Sequence, residues 1–324
     1  MKRPTIYSIA EACGVSASTV SRAFSRPHVV NAELRERIHA AAREVGYQPN
    51  KAARGLVTGR TGLIGLLVPD ITNPFFPPLV RAIQQAADKL DSSVLLVDTE
   101  ERAAAEPQLI RHLAGQVDGL LLASPRSSSG LKDRVNDLPC VVINRRIRGL
   151  PGVTCDNTRA LRAAGRHLEQ LGHRRVAMMR GPSASWAARQ RADAIHAWAV
   201  RSDVTLVDLG PFAASFEGGL AAARALLDTD CTATFAFDDL MACGVLAGLA
   251  DAGVRVPEER SVIGCDDVLL ARTVTPRLTT VTAPVQRLGH VAVELLQRCG
   301  SGEPTAEIRL DGELTLRAST GPAA

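Results

Sequence analysis

Aromatic residues and enzyme motifs are scarce in this chain of 324 residues. Only 3% of the residues are aromatic. The sequence has no P-loop lysine motif and no G-x-S-x-G motif, and no feature pairs a nucleophile with a base. The glycines at positions 59, 62 and 65 precede and enter a strand, whereas those of a dinucleotide-binding turn follow one. The sequence therefore argues against an enzyme, and we assign no catalytic residue and no cofactor.

Signals for export, membrane insertion or metal binding are also missing. No apolar run reaches 18 residues, and Ser8 and Glu11 interrupt the apolar stretch that a signal peptide would need. The seven cysteines are dispersed without a C-x-x-C pair, and so are the histidines. In a reducing compartment such cysteines are typical of small buried residues, not of disulfides or zinc ligands. We expect a cytoplasmic protein without a metal site or a membrane partner.

Positive charge is concentrated at the N-terminal end. Residues 1–60 contain ten basic and four acidic residues, a net charge of +6, while the remaining residues carry a net charge of −2. A basic segment attracts phosphates and releases their counterions. The length predicts two or three domains, and 46% apolar residues suffice for a sizeable core. The charge distribution predicts a basic, nucleic-acid-binding N-terminal segment, called the basic head below, followed by a nearly neutral remainder of the chain.

The first 25 residues have the pattern of a helix-turn-helix. Residues 6–12 predict a short helix, and Gly14 allows the tight turn that follows it. A second helix is expected after the N-cap Ser16, with Val20 as its apolar anchor and Arg22 on its exposed face. This unit places its second helix in the major groove of DNA.

A third helix is expected between the N-cap Asn31 and a stop at Gly46. Its apolar residues form one stripe that suits packing on the first two helices: Leu34, Ile38, Ala41 and Val45. After a break at residues 47–49, Asn50 can cap a short helix over residues 51–57. That helix is too short to be stable alone in water, so we expect it to fold against a partner.

From Gly62 onward short apolar strands alternate with helices rich in alanine and leucine. This pattern is typical of parallel sheets covered on both faces. Eight or more strands exceed one compact sheet, so we predict two doubly wound lobes with a ligand cleft between them. The strands are predicted at 63–68, 94–97, 119–122, 141–143, 176–179, 206–209, 233–237 and 262–264, with helices at 79–90, 160–171, 218–227 and 240–250.

A series of motifs in fixed order resembles the lactose/galactose-repressor (LacI/GalR) family of transcription regulators over nearly the whole chain. Each motif alone is weak, but their joint order is highly specific. They include V-S-x-x-T-V-S-R at 15–22, G-Y-x-P-N at 46–50, V-P-D-I-x-N-P-F-F at 68–76, G-H-R at 172–174, D-x-x-A-x-G at 239–244, S-V-x-G-x-D-D at 261–267 and T-P-x-L-T-T at 275–280.

The resemblance implies a homodimer that reads a near-palindromic operator in double-stranded DNA. It also implies a core similar to periplasmic sugar-binding proteins, in which a small effector, often a sugar, binds between two lobes and changes operator affinity. We expect a helix-turn-helix domain at 1–46, a hinge at 47–60 and a core at 61–324. In that core, lobe 1 comprises about 61–156 and 284–310, and lobe 2 about 157–283 and 311–324.

Carried over by position, the resemblance implies a set of DNA-binding residues. Arg22 can read guanine with its donor fork, or it is only a surface phosphate contact. Leu56 matches a leucine that wedges into the minor groove, and the alternative is that it packs on the core. The others are Ala17 and Ser18 as base-reading positions, Thr5, Ser16, Ser21 and Asn31 as phosphate contacts, and Asn50 and Ala53 in the hinge.

The resemblance also implies an effector site made of planar polar side chains and aromatic faces. Arg191 can donate two hydrogen bonds to adjacent sugar oxygens, or it pairs with Asp193 or another surface acid. Asp238 or Asp239 is alternatively only the N-cap of the next helix, and Phe76 is alternatively a core residue. The nominated residues are Asn73, Phe75, Phe76, Asn144, Trp186, Arg191, Phe212, Asp238 and Asp266.

Three departures from the family pattern leave the effector open. Cys265 stands where an aromatic residue is usual, Asp238 replaces a common asparagine, and residues 193–195 lack the usual Ala-Gly-aromatic sequence. A nucleoside or purine corepressor or a phosphorylated sugar is therefore an alternative effector. A sugar-binding protein without a DNA function is a further alternative, against which the basic head argues.

Overall fold

A computed structural model describes residues 4–25, 27–47, 60–127, 130–131, 135 and 138–324. The chain divides into two compact units, Met1–Gly62 and Leu63–Ala324. The helix predicted over residues 51–57 lies outside the described residues, and so do Asn50, Ala53 and Leu56.

The first unit contains the three predicted helices. Gly14 adopts the left-handed conformation at the end of the first helix, with φ of 65°, which favours glycine. The backbone N–H of Thr19 donates to the Ser16 hydroxyl at 3.2 Å, and that of Glu33 donates to the Asn31 side chain at 2.8 Å. Both predicted N-caps are confirmed. The helices are α1 (Ile6–Cys13), α2 (Ala17–Ser25) and α3 (Ala32–Glu44), with a 3-10 turn at Pro27–Val29.

The core of this unit forms where the three helices meet. Ile9, Val20 and Ile38 are almost completely buried there. The prediction for Val45 was wrong, because this residue is 48% exposed. Val45 lies beyond the last turn of α3 as its C-cap, and the buried position near the end of that helix belongs to Ala42.

The second unit consists of two six-stranded sheets, each with helices on its faces. Sheet A is entirely parallel in the order β11-β5-β4-β3-β1-β2. Sheet B has the order β12-β10-β9-β8-β6-β7, and only β12 runs antiparallel to its neighbour. The strands are β1 (Leu63–Val68), β2 (Ser93–Asp98), β3 (Gly119–Ala123), β4 (Cys140–Ile143), β5 (Gly152–Asp156), β6 (Arg175–Met179), β7 (Thr205–Leu209), β8 (Ala233–Phe235), β9 (Ser261–Asp266), β10 (Thr279–Thr282), β11 (Ile308–Asp311) and β12 (Glu313–Thr315).

The chain passes between the two sheets three times, after β5, after β10 and after β11. Each sheet buries its own apolar clusters against its helices, so the unit has two lobes, each built around one sheet. The helices are α4 (Phe76–Asp88), α5 (Glu106–Ala114), α6 (Thr158–Gln170), α7 (Trp186–Ala199), α8 (Phe216–Leu227), α9 (Asp239–Asp251), α10 (Leu269–Thr273) and α11 (Val285–Gly300).

The predicted fold class, three helices followed by two doubly wound parallel lobes, is confirmed. All eight predicted strands are present, but the one predicted at 233–237, which is β8, ends at Phe235. Four strands were missed, namely β5, β10, β11 and β12, because they are short and carry few apolar residues. The seven cysteines are free, and five of them are buried.

Candidate functional site

Three of the nominated phosphate contacts begin helices. Ser16 and Asn31 cap α2 and α3 as described above, and Thr5 caps α1 by accepting the N–H of Ser8 at 3.4 Å. The first N–H groups of a helix have no partner within it and, with the helix dipole, favour an anion. The first unit therefore offers three helix starts that suit phosphate groups.

The helix α2 presents polar side chains to solvent. Ser18, Ser21 and Arg22 are exposed, while Ala17 is half-buried against the core of the first unit. Arg22 forms no hydrogen bond or ion pair with the described residues. Its planar fork of donors is therefore available for an external acceptor such as the edge of a guanine.

In the second unit two adjoining cavities lie where residues of both lobes converge. The larger has a volume of about 150 Å³ and the smaller about 30 Å³. Asn144 of lobe 1 and Ala187 and Arg191 of lobe 2 line both cavities, and we call the two together the cleft. Most of the lining residues follow the carboxyl ends of strands, where open parallel sheets bind ligands.

Arg191 stands at the centre of the cleft. It is buried on α7, and its Nη2 donates to Asp266 Oδ1 at 2.5 Å. Its Nη1 donates to the carbonyl oxygen of Phe237 at 2.5 Å, and its Cζ lies 4.8 Å from the centre of that ring. Burial opposes the charge, but Asp266 and the other acidic groups outweigh it and raise the pKa of Arg191. The predicted alternative of a pair with Asp193 is not what the structure contains.

Asp238 is the N-cap that the sequence offered as an alternative, and it also lines the smaller cavity. Its Oδ1 caps α9 by accepting the N–H of Met241 at 2.8 Å, and its Oδ2 accepts from Asn73 Nδ2 of lobe 1 at 3.0 Å. Burial and the nearby charge of Asp266 raise the pKa of Asp238 to about 6. One carboxylate therefore starts a helix of lobe 2 and joins the two lobes across the cleft.

Two cleft residues have backbone conformations that favour glycine. Asn144 follows β4 with φ of 56°, and Asp266 ends β9 with φ of 109°. Such conformations are strained for residues with a side chain, and they concentrate at functional sites. Here they turn two polar side chains into the cleft at the ends of their strands.

The nominated aromatic residues divide into three groups. Phe75 and Phe76 belong to the apolar core of lobe 1 and also line the smaller cavity, with ring centres 5.1 Å apart. Trp186 begins α7 and lines the larger cavity. Phe212 packs on an apolar cluster of lobe 2 and is not among the lining residues of either cavity.

The prediction missed two residues of the cleft, Arg126 and Phe237, and the role of Asp239, which lines neither cavity. Arg126 follows β3 and lines the smaller cavity, where Glu101 accepts from its Nε and Nη2, each at 2.5 Å. Phe237 lines the same cavity because β8 ends before it. Asp239 holds the segment after β9 in place by accepting from Val268 N at 2.9 Å. The position of Arg126 after a parallel strand was the one signal available for it.

Among the described residues no group of three or more His, Cys, Asp or Glu side chains is arranged to hold a metal ion. In the same part of the chain, no helix is both long and apolar enough to cross a membrane.

Comparison with known families decides the identity. Residues 5–50 match the family described as "Bacterial regulatory proteins, lacI family", and residues 166–320 match the "Periplasmic binding protein-like domain". The HTH-type transcriptional regulator DegA of Bacillus subtilis is 32% identical over 99% of both chains. The chain belongs to the LacI family. It is a DNA-binding transcriptional regulator, as its curated relatives of that family are regulators and not enzymes.

Solved structures of LacI-family proteins have the same architecture. The lac repressor dimer bound to operator and the anti-inducer ONPF aligns with a TM-score of 0.90 at 27% identity, over 99% of this chain and 100% of that one. The complex of the regulator CelR with cellobiose aligns with a TM-score of 0.72 at 30% identity, over 98% of this chain and 100% of that one.

Proposed function

We propose that this LacI-family regulator is a homodimeric repressor whose operator affinity is set by a sugar or sugar derivative bound in the cleft. The observation that carries the proposal is the buried Arg191–Asp266 pair at 2.5 Å, which lines a cavity together with Asn73, Asn144 and Asp238. These planar groups can donate to and accept from adjacent hydroxyls. The anti-inducer ONPF bound to the lac repressor supports a small-molecule effector, and the cellobiose bound to CelR supports a sugar.

The proposal divides the chain by task. Residues 1–46 bind DNA, residues 47–60 form the hinge and residues 61–324 bind the effector and form the dimer. The separation of the chain into compact units at Gly62 supports the boundary after the hinge. The strand membership of the two sheets supports lobe 1 as about 61–156 with 284–310, and lobe 2 as about 157–283 with 311–324.

In the DNA-binding part, Arg22, Ser18 and Ala17 face the bases, and the N-caps at Thr5, Ser16 and Asn31 bind phosphates. The exposed side chain of Arg22 supports the first role, and the helix starts support the second. Ser21 completes the phosphate contacts, and Asn50, Ala53 and Leu56 of the hinge contact the operator centre. The cleft transmits its state to the DNA-binding part through the relative position of the lobes.

A ligand screen tests this function directly. Purified protein is heated with ribose, cellobiose, lactose, glucosamine or a nucleoside, and each stabilising compound is then titrated by calorimetry. We expect at least one sugar to raise the melting temperature and to change the affinity for a duplex selected from a randomised pool. The coupling between the two sites should be about 1–3 kcal/mol. A protein that prefers no duplex over a scrambled one would overturn the proposal.

A further inference from the structure

The carboxylate of Asp238 faces the cleft without a cationic partner of its own. Its side chain is buried, and its two oxygens accept from the Asn73 amide and from the backbone N–H of Met241. Both donors are neutral groups. The charge of Arg191 acts on Asp238, but the hydrogen bonds of its two Nη atoms go to Asp266 and to Phe237. A buried carboxylate whose hydrogen-bond donors are all neutral is only partly compensated.

The neighbouring charges are already committed elsewhere. Arg191 directs one Nη to Asp266 and the other to the carbonyl of Phe237. On the opposite wall, Arg126 donates from its Nε and its Nη2 to the carboxylate of Glu101. Asp239 lines neither cavity, and its carboxylate accepts from the Thr280 hydroxyl at 2.6 Å and from a backbone N–H.

The lobe 2 side of the cleft therefore has two carboxylates among its described lining residues, Asp238 and Asp266, against one guanidinium, Arg191. The raised pKa values of Asp238 and Asp239 agree with this surplus of negative charge, since burial and the charge of Asp266 cause both shifts. A ligand that brings a positive charge would offset the surplus.

A second feature calls for an acceptor in the same place. Arg191 Nε is buried and has no hydrogen-bond partner among the described residues, although both Nη atoms donate to protein acceptors. A ligand hydroxyl beside the cationic group would supply an acceptor. The rings of Phe75, Phe76 and Phe237 line the smaller cavity, and aromatic faces attract cations as well as apolar sugar surfaces.

We infer that the effector is an amino sugar or a related amino polyol, whose protonated amine pairs with Asp238 and whose neighbouring hydroxyl accepts from Arg191 Nε. This inference rests on the proposed function of the cleft. In this inference, Asp238 determines whether the cleft prefers charged or neutral sugars. A neutral sugar meets the hydrogen-bonding needs of the cleft but leaves the charge of Asp238 unpaired.

The experiment compares matched pairs of ligands in the full-length protein. Glucosamine and glucose, and galactosamine and galactose, are titrated by calorimetry into the wild type, Asp238→Asn and the control Asp193→Asn at pH 7.5 and constant ionic strength. Asp193 is an exposed carboxylate on the same helix as Arg191, so the control removes one charge outside the cleft. Asp238→Ser, which keeps an N-cap side chain, replaces Asp238→Asn if that variant does not fold.

We expect at least one amine to bind the wild type about tenfold more tightly than its neutral counterpart. The ratio of the dissociation constants of the neutral sugar and the amine should fall to near one in the Asp238 variant and should be unchanged in Asp193→Asn. Equal or tighter binding of the neutral sugars, a preference that survives at position 238, or no binding of either amine would each overturn the inference. Neutral sugars that alter duplex affinity would then leave the proposed function intact, whereas a duplex affinity that no ligand changes would contradict the proposed function itself.

Discussion

The N-terminal helices and the cleft both depend on polar side chains, but they hold them in opposite ways. Arg22 and Ser18 on α2 are exposed to solvent. In the cleft, Arg191, Asp238 and Asp266 are buried and already bonded to one another or to nearby groups. The polar groups of a DNA-binding surface are solvated by water in the free protein. Buried charges need hydrogen-bond and ionic partners within the protein even when no ligand is bound. Substitutions should therefore act on binding alone in the first region and on both binding and stability in the second.

The largest effect is expected from Arg191→Ala. Removing one partner of a buried ion pair leaves Asp266 without compensation, so the free energy of unfolding should fall by about 3–5 kcal/mol. The control is Arg43→Ala, because Arg43 forms an exposed pair with Glu36 at 2.9 Å and such pairs contribute about 0–1 kcal/mol. Urea denaturation followed by circular dichroism measures both. Equal losses in the two variants would remove the contrast between buried and exposed charges.

Asp238→Asn should stabilise the protein at neutral pH. Folding raises the pKa of this carboxyl from 3.8 to about 6, through burial and Asp266. The folded state thus binds the proton more tightly, so ionisation opposes folding, and this opposition grows from pH 4 and is complete above pH 6. The shift corresponds to about 3 kcal/mol at most.

The stability difference between Asp238→Asn and the wild type is measured by denaturation at several pH values. The gain should be present at pH 7.5 and should vanish below pH 4, where both states of the wild type are protonated. A gain that does not change with pH would show that the carboxyl charge is not its cause.

Arg22→Ala should weaken binding to the selected duplex by about 1–3 kcal/mol, the discrimination that one bidentate base contact supplies. The melting temperature should stay within a degree of the wild type, because the side chain has no bonds to the described residues. Fluorescence anisotropy measures the affinity, with Arg43→Ala as the control for the loss of one positive charge. If both variants lose the same affinity, Arg22 acts only as a phosphate contact.

The smallest effect is expected from Ser16→Ala. The hydroxyl caps α2 through Thr19 N at 3.2 Å, and the loss of such a cap costs about 1 kcal/mol. Ser18→Ala is the matched control, since its hydroxyl contacts the Ser16 hydroxyl at 2.8 Å but caps no backbone group. Hydrogen exchange of the amides in α1 to α3 reports the local stability. A loss in Ser18→Ala as large as that in Ser16→Ala would contradict the capping role.

The sequence predicted those features that depend on neighbouring residues. The caps at Ser16 and Asn31, the turn at Gly14 and the apolar strands all follow from patterns a few residues long. Val45 was wrongly predicted to be buried, because the apolar stripe in the sequence continues past the end of α3. The strand β10 was missed because Thr279 and Thr280, although completely buried, interrupt the apolar pattern.

The cleft was predictable only in part, because its contacts join distant segments. Arg191 lies 75 residues from Asp266, and Asn73 lies 165 residues from Asp238. The resemblance nominated these residues, but no local pattern reveals that they are bonded. Phe237 was assigned to a strand, and only the early end of β8 places its ring in the cleft.

We infer that one chain both recognises DNA and senses a ligand in the cleft. The most direct measurement is an anisotropy titration of the selected duplex with wild type and Arg191→Ala, with and without a sugar that stabilises the wild type. We predict that the sugar changes the affinity of the wild type about 5- to 150-fold and leaves that of the variant unchanged. A sugar response that is the same in both proteins would contradict the claim.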